Sequence, residues 1–195
     1  MRSAALALAV FAACTTTSAE SPDMSVALTV FDARVEGTTL VLHYTVQNPT
    51  AERIHLTNLL PERGAAGRAP QPDKAYVRLD GDVLVVRKAM ALVPDDLDVE
   101  VPEVPYLTEL PAGGRFEETF RLAVPVAGHD PYVAPGAGSA QAKRVRLEVG
   151  VVTGAAPQSV STVEGTALWL NHRALRAAQR VLTAEVALDV ATLLR

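Results

Sequence analysis

The sequence predicts a mainly β protein, an antiparallel sandwich of about eight or nine short strands with at most one short C-terminal helix. Apolar and polar residues alternate through most segments that follow Ser25, as in strands with one buried face. Gly, Pro, Asn and Asp, which favour turns, separate these segments. The strands do not alternate with long amphipathic helices, as they would in a βαβ fold. We therefore expect residues 25–195 to form one β-sandwich domain.

Individual strands are clearest where the alternation is longest. Residues 40–46 carry apolar side chains at every second position, and residues 145–151 do the same. Asp80-Gly81 lies between two apolar segments, and an Asp-Gly pair in that setting is a strong hairpin signal. Residues 172–181 are rich in Ala, Leu and Arg, which favours a short helix. Residues 182–190 alternate again and predict the final strand.

Two segments add a resemblance to a known kind of domain. Residues 40–48 form a strand-like run that ends at Pro49-Thr50, and Leu110-Pro111-Ala112-Gly113 precedes another strand. This arrangement resembles the immunoglobulin-like accessory domains of bacterial envelopes. The resemblance implies an immunoglobulin-like sandwich and carries over no functional residues.

The N-terminal segment has the layout of a secretory signal. A positive start at Arg2 is followed by apolar residues 4–13 and then by small polar residues. Phe11-Ala12-Ala13-Cys14 resembles the lipobox of bacterial lipoproteins, with Phe11 where that family usually has Leu. In that family the cysteine is lipidated and becomes the first residue of the mature chain. The resemblance implies a signal peptide over residues 1–13 and lipidation of Cys14.

An alternative is cleavage by ordinary signal peptidase after Ala19, with a signal peptide over residues 1–19. Residues 14–24 are rich in Thr and Ser and predict a flexible tether. Cys14 is the only cysteine in the sequence, so the mature domain is expected to contain no disulfide.

The expected cellular location of the protein depends on which of these two interpretations of the N-terminus is correct. The lipobox implies an exported lipoprotein that contacts the membrane through its lipid anchor and faces the periplasm or the cell surface. In that family the absence of Asp after the cysteine, where this chain has Thr15, usually accompanies residence in the outer membrane. Ordinary cleavage would instead give a soluble periplasmic or secreted protein.

Composition and motifs argue against several functions. The net charge of −4 does not favour binding to nucleic acid, which requires a basic face. Residues 136–140, Gly-Ala-Gly-Ser-Ala, lack the closing Gly of a nucleophile elbow. The four histidines are scattered singly, without metal-ligand spacing, at His43, His55, His129 and His172. We therefore expect a non-enzymatic protein that uses no cofactor.

Long loops and two tyrosines are candidates for contact with a partner. Residues 61–73 and 125–140 show no alternation and are rich in loop-forming residues, which predicts two long loops. Tyr132 lies in the second loop and Tyr106 follows Pro105, so each is a candidate aromatic anchor. The alternative for both tyrosines is packing over the rim of the sandwich.

A basic helical face is a third candidate. Arg173, Arg176 and Arg180 are spaced by three and four residues, which places them on one side of a helix. Such a face could contact lipid phosphate, peptidoglycan carboxylates or an acidic partner. The alternative is the ordinary solvated side of a short helix.

An acidic cluster lies near the middle of the chain. If residues 98–104 form a strand, Asp96, Asp98 and Glu100 project to one side at two-residue spacing. Three carboxylates in a row could bind calcium, which prefers oxygen ligands. The favoured interpretation is an edge strand whose charges prevent other chains from adding to the sheet.

These observations favour a binding function. The leading hypothesis is a non-enzymatic, envelope-tethered binding or assembly module with a protein partner in the envelope. The alternatives are a passive structural lipoprotein and, less favoured, a carbohydrate-active or calcium-binding accessory protein.

The lipid anchor can be tested by changing Cys14. We expect Cys14→Ser to release the protein from the membrane fraction, because the substitution removes the atom that carries the lipid. Fractionation of cells that produce the native and substituted proteins measures this. Unchanged membrane association and electrophoretic mobility of the substituted protein would contradict the prediction.

Overall fold

The computed structural model describes residues 25–64, 67–132, 142–154, 160–163 and 167–188. The predicted signal peptide, the predicted lipidation site Cys14 and the predicted tether over residues 14–24 lie outside the described residues. So do residues 133–140 of the predicted second loop and the C-terminal residues 189–195. Within the described part, no helix is both long and apolar enough to cross a membrane.

The described residues form twelve strands and one helix. In chain order they are β1 (Ala27–Glu36), β2 (Thr39–Gln47), β3 (Ile54–Gly64), β4 (Gly67–Gln71), β5 (Tyr76–Asp80), β6 (Val83–Lys88), β7 (Tyr106–Leu110), β8 (Arg115–Ala123), β9 (Arg144–Val152), β10 (Val160–Val163), β11 (Ala167–Leu170), α1 (His172–Ala178) and β12 (Gln179–Ala187). The predicted short C-terminal helix is confirmed, and the described strands are more numerous than predicted.

Two sheets contain these strands. The smaller sheet has the order β1-β2-β8 and is antiparallel throughout. The larger sheet has nine strands in its described part, and β9 is its hub, because β9 pairs with β3, β6 and β12. The β6–β9 pair is parallel, so the larger sheet is mixed. The prediction of a mainly β, sandwich-like fold is confirmed.

The core lies between the two sheets. One central strand of each sheet places every second side chain in it, as the alternation in the sequence predicts. These fully buried side chains are Leu40, Leu42, Tyr44 and Val46 on β2 and Val145, Leu147, Val149 and Val151 on β9. Burial of a large apolar side chain contributes roughly 1.5–3 kcal/mol, so this double row is a main source of stability.

The predicted hairpin at Asp80-Gly81 is also confirmed. β5 and β6 are antiparallel, and Asp80 pairs with Val83 across a turn of two residues, Gly81 and Asp82. Gly81 has a φ of 63°, a left-handed conformation that glycine adopts without steric cost. The turn therefore depends on the glycine that marked it in the sequence.

The predicted loop over residues 61–73 is wrong for most of its length. β3 continues to Gly64, and β4 returns along it with Pro61 opposite Pro70. Proline lacks a backbone N–H donor and is typical of loops, which is why the sequence pattern predicts a loop here. Among the described strands β4 pairs only with β3, and a strand with a free edge tolerates proline.

The predicted strand over residues 98–104 is wrong. Residues 89–105 form no strand and no helix. The segment contains Pro94, Pro102 and Pro105. Each proline lacks the backbone N–H donor that a strand needs and restricts the backbone conformation of the residue before it. The interpretation of the acidic residues as a charged edge strand is therefore wrong as well.

The junction between α1 and β12 is closely packed. Asn171 caps the helix by accepting a hydrogen bond from the Ala174 backbone N–H at 2.9 Å. Directly after the helix, the Gln179 side-chain oxygen accepts hydrogen bonds from the Thr57 hydroxyl and the Met90 N–H, both at 2.9 Å. Gly150 lies beneath this amide on β9, and a Cβ atom there would be 2.0 Å from Thr57 Oγ1.

We expect Gly150→Ala to lower the free energy of unfolding by about 1–3 kcal/mol, because the added methyl group displaces Thr57 and Gln179. Gly128→Ala is the matched control, since a Cβ atom there meets only Val77 O at 3.8 Å. Urea denaturation of both variants measures the difference. Equal losses for the two variants would contradict this account of the junction.

Candidate functional site

Exposed large apolar side chains are concentrated on the irregular segment between β6 and β7. Within the described part of the chain four large apolar side chains are exposed, and three of them lie here: Leu92 (51%), Leu97 (44%) and Val101 (65%). The fourth is Val181 on β12. Single exposed apolar residues are common, but a group of them usually marks a contact surface. Leu92, Leu97 and Val101 are called the apolar patch below.

A groove adjoins the apolar patch at Val101. It consists of two depressions of about 330 and 410 Å³ that share Pro61, Arg68, Glu100 and Val101 in their walls. The first is lined in addition by Pro102, Val104, Tyr106 and Trp169, and the second by Glu103. The first depression is mainly apolar, as is typical of binding sites, whereas three of the five residues that line the second are charged.

Two tyrosines bind Glu103, one of the residues that line the groove. The Tyr76 hydroxyl donates a 2.6 Å hydrogen bond to Glu103 Oε2, and the Glu103 backbone N–H donates to the Tyr132 hydroxyl at 3.2 Å. Burial, followed by the hydrogen bond to Glu103, raises the pKa of the Tyr76 phenol, which therefore remains a donor. Glu103 is thus fixed through both its side chain and its backbone.

The structure places both predicted anchor tyrosines inside the protein. Tyr106 on β7 is 6% exposed, and its hydroxyl donates to the Arg68 carbonyl at 2.8 Å. Tyr132 is half-buried and packs against the cluster of Leu60, Tyr76 and Ala91. These positions agree with the interpretation that both tyrosines pack against the sandwich, and contact of either ring with a partner stays a prediction. Both residues support the groove.

The predicted basic helical face is not formed. Arg173 and Arg176 are exposed on α1, but Arg180 lies on β12 opposite Val151, because the helix ends at Ala178. The Arg176 guanidinium donates to Asp95 Oδ1 at 2.9 Å. The helix therefore contacts the segment that carries the apolar patch.

The carboxylates of the acidic cluster lie on the same segment as the apolar patch. Asp96, Asp98 and Glu100 are exposed and lie on an irregular segment, so the regular spacing assumed for a calcium site is wrong. Among the described residues, no three His, Cys, Asp or Glu side chains come together in a way that could hold a metal ion. These charges form a negative rim beside the patch.

A buried polar cluster was missed by sequence reasoning. Lys88 ends β6 and is fully buried, and its ammonium group donates to Glu118 Oε1 on β8 at 2.7 Å. The Tyr44 hydroxyl donates to Glu118 Oε2, and the Asn58 side-chain amide donates to the same oxygen at 3.4 Å. These four residues are called the core polar cluster below. The sequence does contain a signal for a buried carboxylate, because Glu118 lies between Phe116 and Phe120 on the inward face of β8.

Burial dominates the electrostatics of the core polar cluster. Desolvation lowers the pKa of the Lys88 ammonium, although the charge of Glu118 and its hydrogen bond oppose the shift. Desolvation also raises the pKa of the Tyr44 hydroxyl, and the negative charge of Glu118 adds to the effect. A lysine with this environment has an amine that loses its proton more readily than a surface lysine.

The fold and its surface define a mainly β, sandwich-like protein with exposed apolar side chains on one irregular segment and a polar cluster in its core. Comparison of the chain with protein-family models, curated proteins and solved structures finds no match in any of the three.

Proposed function

We propose that the protein is a non-enzymatic binding or assembly module that docks a protein partner on the apolar patch and the adjoining groove. The observation that carries this proposal is the concentration of three exposed large apolar side chains in one segment of ten residues, Leu92 to Val101. Exposure of such side chains to water has a free-energy cost that contact with a partner removes.

The chemistry of the surface indicates the chemistry of the partner. An apolar centre at Leu97 and Val101 is flanked by the exposed carboxylates of Asp96, Asp98 and Glu100. A complementary protein surface has apolar side chains at its centre and Lys or Arg around them. Apolar burial then supplies affinity, and opposite charges favour encounter and the correct orientation.

The support beneath the groove favours a preformed binding surface. Glu103 is held by Tyr76 and Tyr132, and Tyr106 on β7 is hydrogen-bonded to β4 through the Arg68 carbonyl. A segment held at several points loses little conformational entropy when a partner binds.

A binding function is also preferred over glycoside hydrolysis. A two-carboxylate mechanism needs one carboxyl group with a raised pKa in a water-excluding cleft. Asp96, Asp98 and Glu100 are exposed instead. Solvated carboxylates beside an apolar surface are better suited to recognition.

The proposal includes the envelope location inferred from the N-terminus. Lipidation at Cys14 would tether the domain to the outer membrane, on the periplasmic or the surface side, through residues 14–24. Lateral diffusion on a membrane would then raise the encounter rate with another envelope protein, so a patch of modest size would suffice for binding.

We test the docking surface with a photoreactive amino acid at position 101 in cells that produce the full chain. Irradiation is expected to yield one cross-linked product of defined mass with an envelope protein. Leu92→Ser together with Leu97→Ser is expected to abolish the product while changing the free energy of unfolding by less than about 0.5 kcal/mol per site. Electrophoresis, mass spectrometry and urea denaturation measure these effects.

Position 181 is the matched control, because Val181 is an exposed valine outside the apolar patch. The same photoreactive residue there is expected to give no product. Equal cross-linking from positions 101 and 181, or a product that survives the double serine substitution, would contradict the proposed docking surface.

A further inference from the structure

Lys88 lies in an unusual environment for an amine. Its side chain is fully buried at the end of β6, and its nitrogen contacts Glu118 Oε1 at 2.7 Å and the Pro72 carbonyl at 2.5 Å. The ring of Phe120 lies 4.4 Å from the nitrogen. The Lys88 side chain has no exposed surface, and a desolvated amine is a potential nucleophile.

Asn58 provides a carboxamide in the same cluster. It lies on β3, is 1% exposed, and donates its side-chain amide to Glu118 Oε2 at 3.4 Å. Its side-chain oxygen is buried and has no hydrogen-bond partner among the residues that the structure describes. A buried carbonyl without a donor is uncommon and costly, so its presence in a charged core requires an explanation.

Glu118 connects the amine and the carboxamide. One oxygen of its carboxylate contacts the Lys88 nitrogen, and the other contacts the Asn58 amide nitrogen. A carboxylate in this position can take a proton from the amine and deliver a proton to the nitrogen that leaves. The Tyr44 hydroxyl, which donates to Glu118, holds the carboxylate in place.

We propose that Lys88 and Asn58 form an intramolecular amide bond, with Glu118 as the proton shuttle. A proton first moves from the Lys88 ammonium to the Glu118 carboxylate. The neutral Nζ then bonds to Asn58 Cγ, and the bond from Cγ to Nδ2 breaks as that nitrogen leaves as ammonia.

The atoms and charges of this reaction balance. Of the five protons on the two nitrogens, one stays on the new amide, three leave with ammonia and one remains on Glu118. The buried positive and negative charges are both removed, and the reaction requires no oxidant, metal or cofactor. The neutral Glu118 carboxyl group can then donate a hydrogen bond to the Asn58 side-chain oxygen, which otherwise has no partner in the described part of the chain. Exclusion of water from the core protects the reaction from hydrolysis.

The bond would join β3 to β6 within the larger sheet. A covalent link between distant parts of a chain restricts its unfolded state, which is the effect that disulfides have in exported domains. The only cysteine of this chain is Cys14, outside the described domain, so a disulfide within residues 25–195 is impossible. This inference is independent of the proposed docking function.

Mass spectrometry of the purified full chain tests the proposal. The native protein is expected to lack the mass of one ammonia relative to its sequence. Proteolysis is expected to release the peptide that contains Lys88 joined to the peptide that contains Asn58. Lys88→Arg and Glu118→Gln are expected to restore the full mass, the first by removing the nucleophile and the second by removing the proton shuttle.

The digest separates this reaction from other losses of ammonia. A cyclised asparagine elsewhere would leave the two peptides unjoined and would persist in Lys88→Arg, and that result would overturn the proposal. Recovery of unmodified Lys88 and Asn58 peptides from the native protein would overturn it equally. The native digest decides the question even where a variant does not fold.

Discussion

The contact between Glu118 and Lys88 is the constraint on which the arrangement of the sheets depends. Glu118 belongs to β8 of the smaller sheet, whereas Lys88 and Asn58 belong to β6 and β3 of the larger sheet. Before the proposed amide bond forms, a buried charge without its partner is strongly destabilising; after it forms, Glu118 remains beside the joined groups, so the sheets are held where these groups meet. Apolar packing around Tyr44 fills the space between them but is less directional than these polar contacts.

The same contact sets the start of the segment that forms the candidate docking surface. Lys88 is the last residue of β6, and Met90, two positions later, exchanges hydrogen bonds with the Gln179 side chain. The chain then leaves the core and carries the apolar patch across the surface until Tyr76 and Tyr132 bind Glu103. The segment has no regular secondary structure, yet both of its ends are fixed by buried partners. Irregular segments on a rigid sheet are common sites of recognition.

Sequence patterns predicted those parts of the fold in which the residues of a single strand show which of its faces is buried. The alternation in β2 and β9 identified the core rows, and Asp80-Gly81 identified a hairpin. Proline-containing segments were predicted wrongly in two ways. The predicted loop over residues 61–73 contains paired strands in which Pro61 lies opposite Pro70. Residues 98–104 alternate like a strand but form none. The core polar cluster was not predictable as a cluster. Glu118 is visibly out of place among apolar residues, but its partners lie on other strands, and only the register between sheets brings Lys88 and Asn58 to it.

The importance of this contact is tested most directly by comparing Glu118→Gln with Glu117→Gln in urea denaturation. The two glutamates are adjacent, but the Glu118 side chain is 11% exposed and that of Glu117 is 53% exposed. Glu118→Gln leaves Lys88 buried without its counter-charge and is expected to lower the free energy of unfolding by at least about 3 kcal/mol. Glu117→Gln disrupts only exposed pairs and is expected to change it by less than about 1 kcal/mol. Similar effects of the two substitutions would contradict the account.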